Sequence, residues 1–248
     1  MVDQELLRLC KDVPLINTPF ESVECYGIGK HLREYGFYPE WLPVCVSTDH
    51  GPSQRDIPTY LELQDDSPVM FYHSKRLVDE WRKLSKKPCE VMFSPFVYYR
   101  RENRINKTQH AKGTLAFPVH STDLIETNCN MEDYIKSLLT LPPMFQPISV
   151  CLYYLDIRKG KHKPFERYNI PVYTAGHIYD KGFTERFYNI LQKFRYATSN
   201  HFGSYGFYAV EMEIPFFIYG QKPKMVNNGD PNCPEKEYDP LMEFKQLK

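Results

Sequence analysis

The chain has 248 residues, with 31 Lys and Arg against 31 Asp and Glu, so it carries no net charge and no global field that draws it onto nucleic acid or anionic lipid. That length accommodates one large or two small domains. No N-terminal stretch joins a basic start to an apolar run and a small-residue cleavage site, and no apolar run approaches the roughly 20 residues that span a bilayer, so a cytoplasmic protein without an integral membrane segment is expected.

Seven cysteines occur without a CxxC pair, and several lie inside apolar runs. They read as reduced thiols of the core or surface, not as a disulfide framework or a zinc site. Tyr and Phe number 19 and 16 against two Trp, a content that points first to aromatic packing in the core.

Leu6, Leu7 and Leu9 have helical spacing within residues 1–12, and residues 22–35 form a second amphipathic stretch that Gly36 and Pro39 stop. Residues 41–47 read as a short strand that opens into the turn Thr48-Asp49-His50-Gly51-Pro52. A strand at 68–72, a helix at 75–84 with Ser74 as its cap, and a strand at 89–93 repeat the pattern. The basic aromatic segment Tyr98-Tyr99-Arg100-Arg101 and the polar residues through Lys112 read as a linker, with Arg100, Arg101 and Arg104 as a basic lip or plain solvated surface.

Beyond Gly113 the alternation is cleaner. Strands are expected at 114–119, 149–155, 171–174, 195–198 and 214–219, and helices at 131–141, 161–168, 184–193 and 204–212. The residues after Gly220 are expected to be loop, with a short terminal helix near Leu241 and Phe244. Repeated strand–helix units of this length predict an α/β fold of two small Rossmann-like lobes, residues 1–112 and 113–248, whose parallel sheets face a cleft. Such sheets take their ligands at the carboxyl ends of their strands.

The richest candidate site spans residues 196–220. A strand delivers Thr198, Ser199 and Asn200 to the rim, Gly203 lets the backbone approach a ligand, and a helix opens near Ser204 with free N–H groups. Helix N-termini stabilise phosphate through aimed N–H donors and the macrodipole. Ser, Asn and Gly also cap helices and make turns, so capping and turning remain the alternative reading. His120, in Phe117-Pro118-Val119-His120-Ser121-Thr122, ends an earlier strand, with Ser121 and Thr122 beside it as further donors or as helix caps. After the strand at 171–174, the Ala175 and Gly176 amides are placed to approach a nucleotide base. Asp49 and His50 form the acid/base candidate of the first lobe, against a tight turn as the alternative.

This layout, with Ser/Thr at a strand end, a small-residue turn, a short aromatic helix, then Ile214-Pro215 and an apolar strand, resembles the donor-binding half of GT-B-type glycosyltransferases. It is most similar to bacterial surface-polysaccharide enzymes of the sialyltransferase, polysialyltransferase and teichoic-acid polymerase kinds, over residues 113–220. The resemblance implies that Thr198, Ser199 and Ser204 hold the phosphate of a nucleotide sugar, that His120 donates to it or protonates it as it leaves, and that Glu211 binds the ribose hydroxyls. It also implies that Asp49 or His50 deprotonates the acceptor. The chain reads Val-His-Ser where the family has His-Pro. The implied activity is an inverting, metal-independent transfer from a nucleotide sugar to a glycan or lipid-linked acceptor, with no bound cofactor and no nucleic-acid partner, and the sequence has no Asp-x-Asp metal motif. A sugar-nucleotide epimerase of the same architecture and a non-catalytic nucleotide- or glycan-binding module are the alternatives.

Overall fold

The computed structural model describes residues 2–15, 18–49, 51–52, 57–231 and 237–238. It divides into two compact units, one made of Met1–Lys11, Ile105–His177 and Glu185–Lys248, the other of Asp12–Arg104 and Ile178–Thr184. Helix α1 (Val2–Leu9) therefore belongs with the later part of the chain.

In the smaller unit a 3-10 helix (Glu21–Gly27) leads into α2 (Ile28–Tyr35) through a kink at which Tyr26 and Gly27 both take positive φ. Then follow β1 (Ser47–Thr48), α3 (Tyr60–Gln64), β2 (Met70–Tyr72), α4 (Lys75–Leu84), β3 (Cys89–Val91) and α5 (Pro95–Glu102). The three strands pair in parallel in the order β1-β2-β3. Met70, Tyr72 and Cys89 from the strands meet Leu77, Val78 and Trp81 from one face of α4. Removing each large side chain from water contributes about 1.5–3 kcal/mol. The Trp81 indole N–H donates to the Lys87 carbonyl at 2.9 Å, which satisfies the one polar atom of the buried ring. Residues 178–184 join this unit because the Thr184 hydroxyl donates to the Tyr26 carbonyl at 2.7 Å and Phe183 packs on Tyr26 and Phe96.

The strand expected at 41–47 shrinks to Ser47–Thr48. Pro43 has no N–H for a ladder, Leu42 turns back to bond the Pro39 carbonyl at 3.1 Å, and Trp41 is left 72% exposed.

The larger unit holds β4 (Thr114–Ala116), β5 (Ile125–Asn128), α6 (Met131–Leu139), β6 (Ile148–Cys151), α7 (Tyr154–Arg158), α8 (Lys163–Arg167) and β7 (Val172–Tyr173). After these come α9 (Phe183–Leu191), which begins in the smaller unit, β8 (Tyr196–Ser199), α10 (Ser204–Glu211), β9 (Phe216–Ile218), β10 (Lys224–Asn227) and β11 (Glu237–Tyr238). Five strands form a wholly parallel sheet in the order β7-β6-β4-β8-β9. From β4 the chain adds two strands on one side, then crosses back and adds two on the other, the doubly wound order with its switch point between β4 and β8. Every residue of β4, β6 and β8 is buried, as expected of strands with both faces covered. Asn130 caps α6 by accepting from the Glu132 and Asp133 amides at 3.0 and 3.4 Å.

Sequence periodicity did not foresee the second sheet of this unit, the antiparallel β11-β10-β5, which takes two of its strands from a tail expected to be loop. The expected strand 149–155 also ends early, at Cys151, because Tyr154–Arg158 is helical. The terminal helix expected near Leu241 and Phe244 lies outside the described residues.

Candidate functional site

The loops leaving β4 and β8 diverge at the switch point, and they carry residues 117–122 and 200–203. The structure thus brings His120, Ser121 and Thr122 to the same sheet edge as Thr198, Ser199, Asn200, Gly203 and Ser204. The two loops are stitched together. The Phe117 amide donates to the Thr198 carbonyl at 2.8 Å, and the Val119 amide donates to Asn200 Oδ1 at 2.9 Å. Asn200 Nδ2 donates to the Gln221 carbonyl at 3.1 Å and to Cys129 Sγ at 3.5 Å, so one buried amide ties the ends of β4, β5, β8 and β9.

Three of the expected phosphate ligands therefore work inside the fold. Asn200 is the clamp, and the Thr198 hydroxyl donates to the Phe217 carbonyl at 2.8 Å. Ser199 Oγ lies 2.9 Å from the Tyr205 hydroxyl and accepts from the His201 amide at 3.1 Å. Polar side chains at the end of a fully buried strand need protein partners, because an unbonded buried polar group is costly. Gly203 also has a local reason to be small, since a Cβ there would meet the Tyr205 ring at 2.7 Å. That ring stacks on Phe117, centroids 4.9 Å apart and planes 5° from parallel, while its hydroxyl donates to the His201 carbonyl at 3.1 Å. What the turn offers a ligand is the half-buried Gly203 and Ser204 and the opening N–H groups of α10, which has no side-chain cap.

On the β4 side, His120 Nδ1 donates to the Ser121 carbonyl at 3.1 Å, and the ring stacks on Tyr153 at 4.1 Å. Burial holds the imidazole below its usual titration range, only partly opposed by the bond to the Ser121 carbonyl and then by Asp156, so the ring is neutral at pH 7 with Nε2 as an acceptor. Ser121 Oγ accepts from the Lys161 ammonium at 3.0 Å and from the Thr127 amide at 3.2 Å. Thr122 Oγ1 accepts from the Leu124 and Ile125 amides and shapes the turn into β5. Lys161 also forms an ion pair of 2.7 Å with the buried Asp156. Lys161, Asp156 and Tyr153 escaped notice in the sequence because 149–155 read as strand. The signal available was Gly160 after the apolar positions 152–155 and 157, a helix stop.

Two further candidates are placed elsewhere. Gly176 has φ +94° and its amide donates to Thr174 Oγ1 at 3.1 Å. A Cβ on it would sit 3.0 Å from the Leu9 carbonyl, and the next amide, of His177, donates to that carbonyl, so this turn seats the end of α1 in place of a base. Glu211 is the last residue of α10, seven positions beyond Ser204 and so about 10 Å along the axis from the opening turn. Tyr208, one helical turn earlier, is packed against Phe187 and Tyr188.

In the smaller unit Asp49 directly follows β1, is buried, and donates its amide to the Phe71 carbonyl at 2.9 Å. His50 lies outside the described residues. His73, after the central strand β2, joins the neighbouring strand ends by bonding Met92 O at 3.2 Å and the Asp49 backbone. Arg100 is buried on α5, a helix where a linker was expected, whereas Arg101, over the Phe93 ring at 5.5 Å from its centroid, and Arg104 are exposed surface.

Among the described residues no three His, Cys, Asp or Glu side chains gather as metal ligands, and no helix is long and apolar enough to cross a membrane. No family model matches the chain, and no curated protein or solved structure matches it.

Proposed function

We propose that the chain is a nucleotide-sugar-dependent glycosyltransferase of surface-polysaccharide assembly, inverting and metal-independent, with its donor at the switch point of the larger unit. The observation that carries this reading is the doubly wound parallel sheet with His120 and the α10 N-terminus at the one edge where such sheets take nucleotides. In the transfer, the acceptor hydroxyl oxygen bonds to the anomeric carbon as the bond from that carbon to the phosphate oxygen breaks. The hydroxyl proton goes to a base, and the departing phosphate gains charge. Donors aimed at that growing charge lower the barrier.

The opening amides of α10 supply such donors, together with the Ser204 hydroxyl. His120 reaches the reaction as a neutral ring, and an arriving phosphate dianion favours its protonation at Nε2, from which it donates to the leaving group.

A thermal-shift screen of the full chain against CMP, CDP, UDP, GDP and dTDP tests the donor site, because a ligand bound only by the native state raises its melting temperature. One nucleotide is expected to stabilise the chain, and its sugar conjugate to be turned over only with an acceptor present. Turnover without acceptor would favour the epimerase reading. A non-catalytic nucleotide- or glycan-binding module is the second reading, favoured by the internal use of Thr198, Ser199 and Asn200. Binding that survives with no transfer, and with His120→Ala indistinguishable from the parent, would establish it.

A further inference from the structure

The end of α7 is built in an unusual way. The Lys161 amide donates to the Asp156 carbonyl at 2.9 Å and the Gly160 amide to the Ile157 carbonyl at 3.0 Å, with Gly160 at φ +73°. These two bonds and the left-handed glycine are a Schellman motif, in which Asp156 and Lys161 take the two positions that ordinarily make an apolar contact. Here that contact is an ion pair. Asp156 is a buried carboxylate whose Oδ1 accepts no aligned hydrogen bond among the described residues. Replacing such a buried pair with apolar side chains is often neutral or stabilising, so stability alone does not account for it.

The arrangement does fix an ammonium group. Asp156 faces it at 2.7 Å, Ser121 Oγ accepts one of its three N–H bonds at 3.0 Å, and the Lys161 side chain remains 24% exposed. Ser121 is the neighbour of His120 and follows β4, so this cation stands at the switch point. Lys161 also acts electrostatically on both His120 and Cys129, and Asn200 from the β8 loop bonds Cys129, so the cation lies among groups from both sides of the divide.

We infer that Lys161 is the anion-binding cation of this edge: its free donor contacts a phosphate or diphosphate group, and Asp156 is a positioning residue that holds the ammonium in place. This deepens the donor-site reading above and rests on it for the identity of the anion's bearer, a nucleotide. The Ser121, Thr122, Thr198 and Ser199 side chains are occupied within the fold and His120 is neutral, which leaves Lys161 as the full positive charge at this edge among the groups described above.

The test titrates the full chain with inorganic pyrophosphate and separately with the nucleotide panel, at fixed ionic strength and with chelator. Lys161→Met alone would strand the Asp156 carboxylate, so the isosteric pair Asp156→Asn/Lys161→Met serves as the charge-free variant that keeps the fold, and Lys161→Arg keeps the charge. The parent is expected to bind pyrophosphate, the double variant to lose at least tenfold in affinity at unchanged melting temperature, and the Arg variant to lose less. Equal affinity in the parent and the double variant would overturn the assignment, as would a parent that binds neither pyrophosphate nor any nucleotide. Pyrophosphate binding that depends on Lys161 in a chain that binds no nucleotide would keep the anion site and sink the sugar-transfer reading. Nucleotide binding untouched in the double variant would do the reverse.

Discussion

Replacing Asn200 with Ala separates a scaffold role from a ligand role, because the two make opposite demands. The side chain is buried, accepts from the Val119 amide at 2.9 Å, and donates to the Gln221 carbonyl at 3.1 Å and to Cys129 Sγ at 3.5 Å. Truncation removes two good hydrogen bonds at about 1 kcal/mol each and leaves a buried main-chain donor unsatisfied at a further ~1–3 kcal/mol, so a loss of about 3–5 kcal/mol is expected. At about 2–4 °C per kcal/mol for a chain of this size, the melting temperature falls by roughly 6–20 °C. Urea denaturation followed by circular dichroism reads the change as a shift of midpoint at constant slope. A variant within about 0.5 kcal/mol of the parent, the usual range for a surface substitution, would refute the reasoning and return Asn200 to the list of ligand contacts.

Burial lowers the titration of His31, His73 and His120 below the ordinary value of 6.5. Their unfolded forms then bind more protons than their folded forms, so the stability they permit is complete above about pH 6.5 and declines as pH falls toward the folded values, by up to about 1.4 kcal/mol per pH unit for each. Urea midpoints at pH 7.5 and 5.5 check this, with His73→Gln and His120→Gln each flattening the slope; equal midpoints at the two pH values would contradict it. Gly113→Ala puts a Cβ 2.2 Å from the Pro147 carbonyl oxygen at φ +66°, beside the entry to β4. Left-handed strain and overpacking together are expected to cost about 2–5 kcal/mol, and an unchanged midpoint would contradict the register of that strand entry. Tyr205→Phe removes the hydroxyl between Ser199 and the His201 carbonyl, for an expected loss of about 1–2 kcal/mol by the same assay and no change in pyrophosphate affinity. A Tyr205→Phe chain that kept its stability but lost the anion would place Tyr205 among the ligand contacts.

The parts of the fold legible in the sequence are those dictated by local pattern. The strands β4, β6 and β8 are built of apolar and small residues because both faces of a parallel sheet are covered, and α4 and α6 show one apolar face each, although Ser74, the expected cap of α4, makes no side-chain capping bond. The pairing of β5 with β10 joins residues far apart in the chain through short strands of mixed polarity, Ile125–Asn128 and Lys224–Asn227, whose partners no local period encodes. The return of 178–184 to the smaller unit depends likewise on contacts with Tyr26 that periodicity does not contain.

At the candidate site, sequence placed His120 and the turn after β8 at strand ends, and both do meet at the switch point. It did not distinguish a half-exposed hydroxyl from one bonded to a neighbouring carbonyl, as the contrast between Ser204 and Thr198 shows. Nor does residue spacing reveal that Asp156 and Lys161 face one another, since the helix end that joins them falls between the strand expected at 149–155 and the helix expected at 161–168.

The most direct measurement of the central claim is hydrogen exchange by mass spectrometry on the full chain, with and without the nucleotide that gives the largest thermal shift. Slowed exchange at residues 117–122 and 200–206, the two loops that part at the β4 and β8 ends, is the expected result. Protection confined to other segments, with those two loops unchanged at saturating nucleotide, would contradict it.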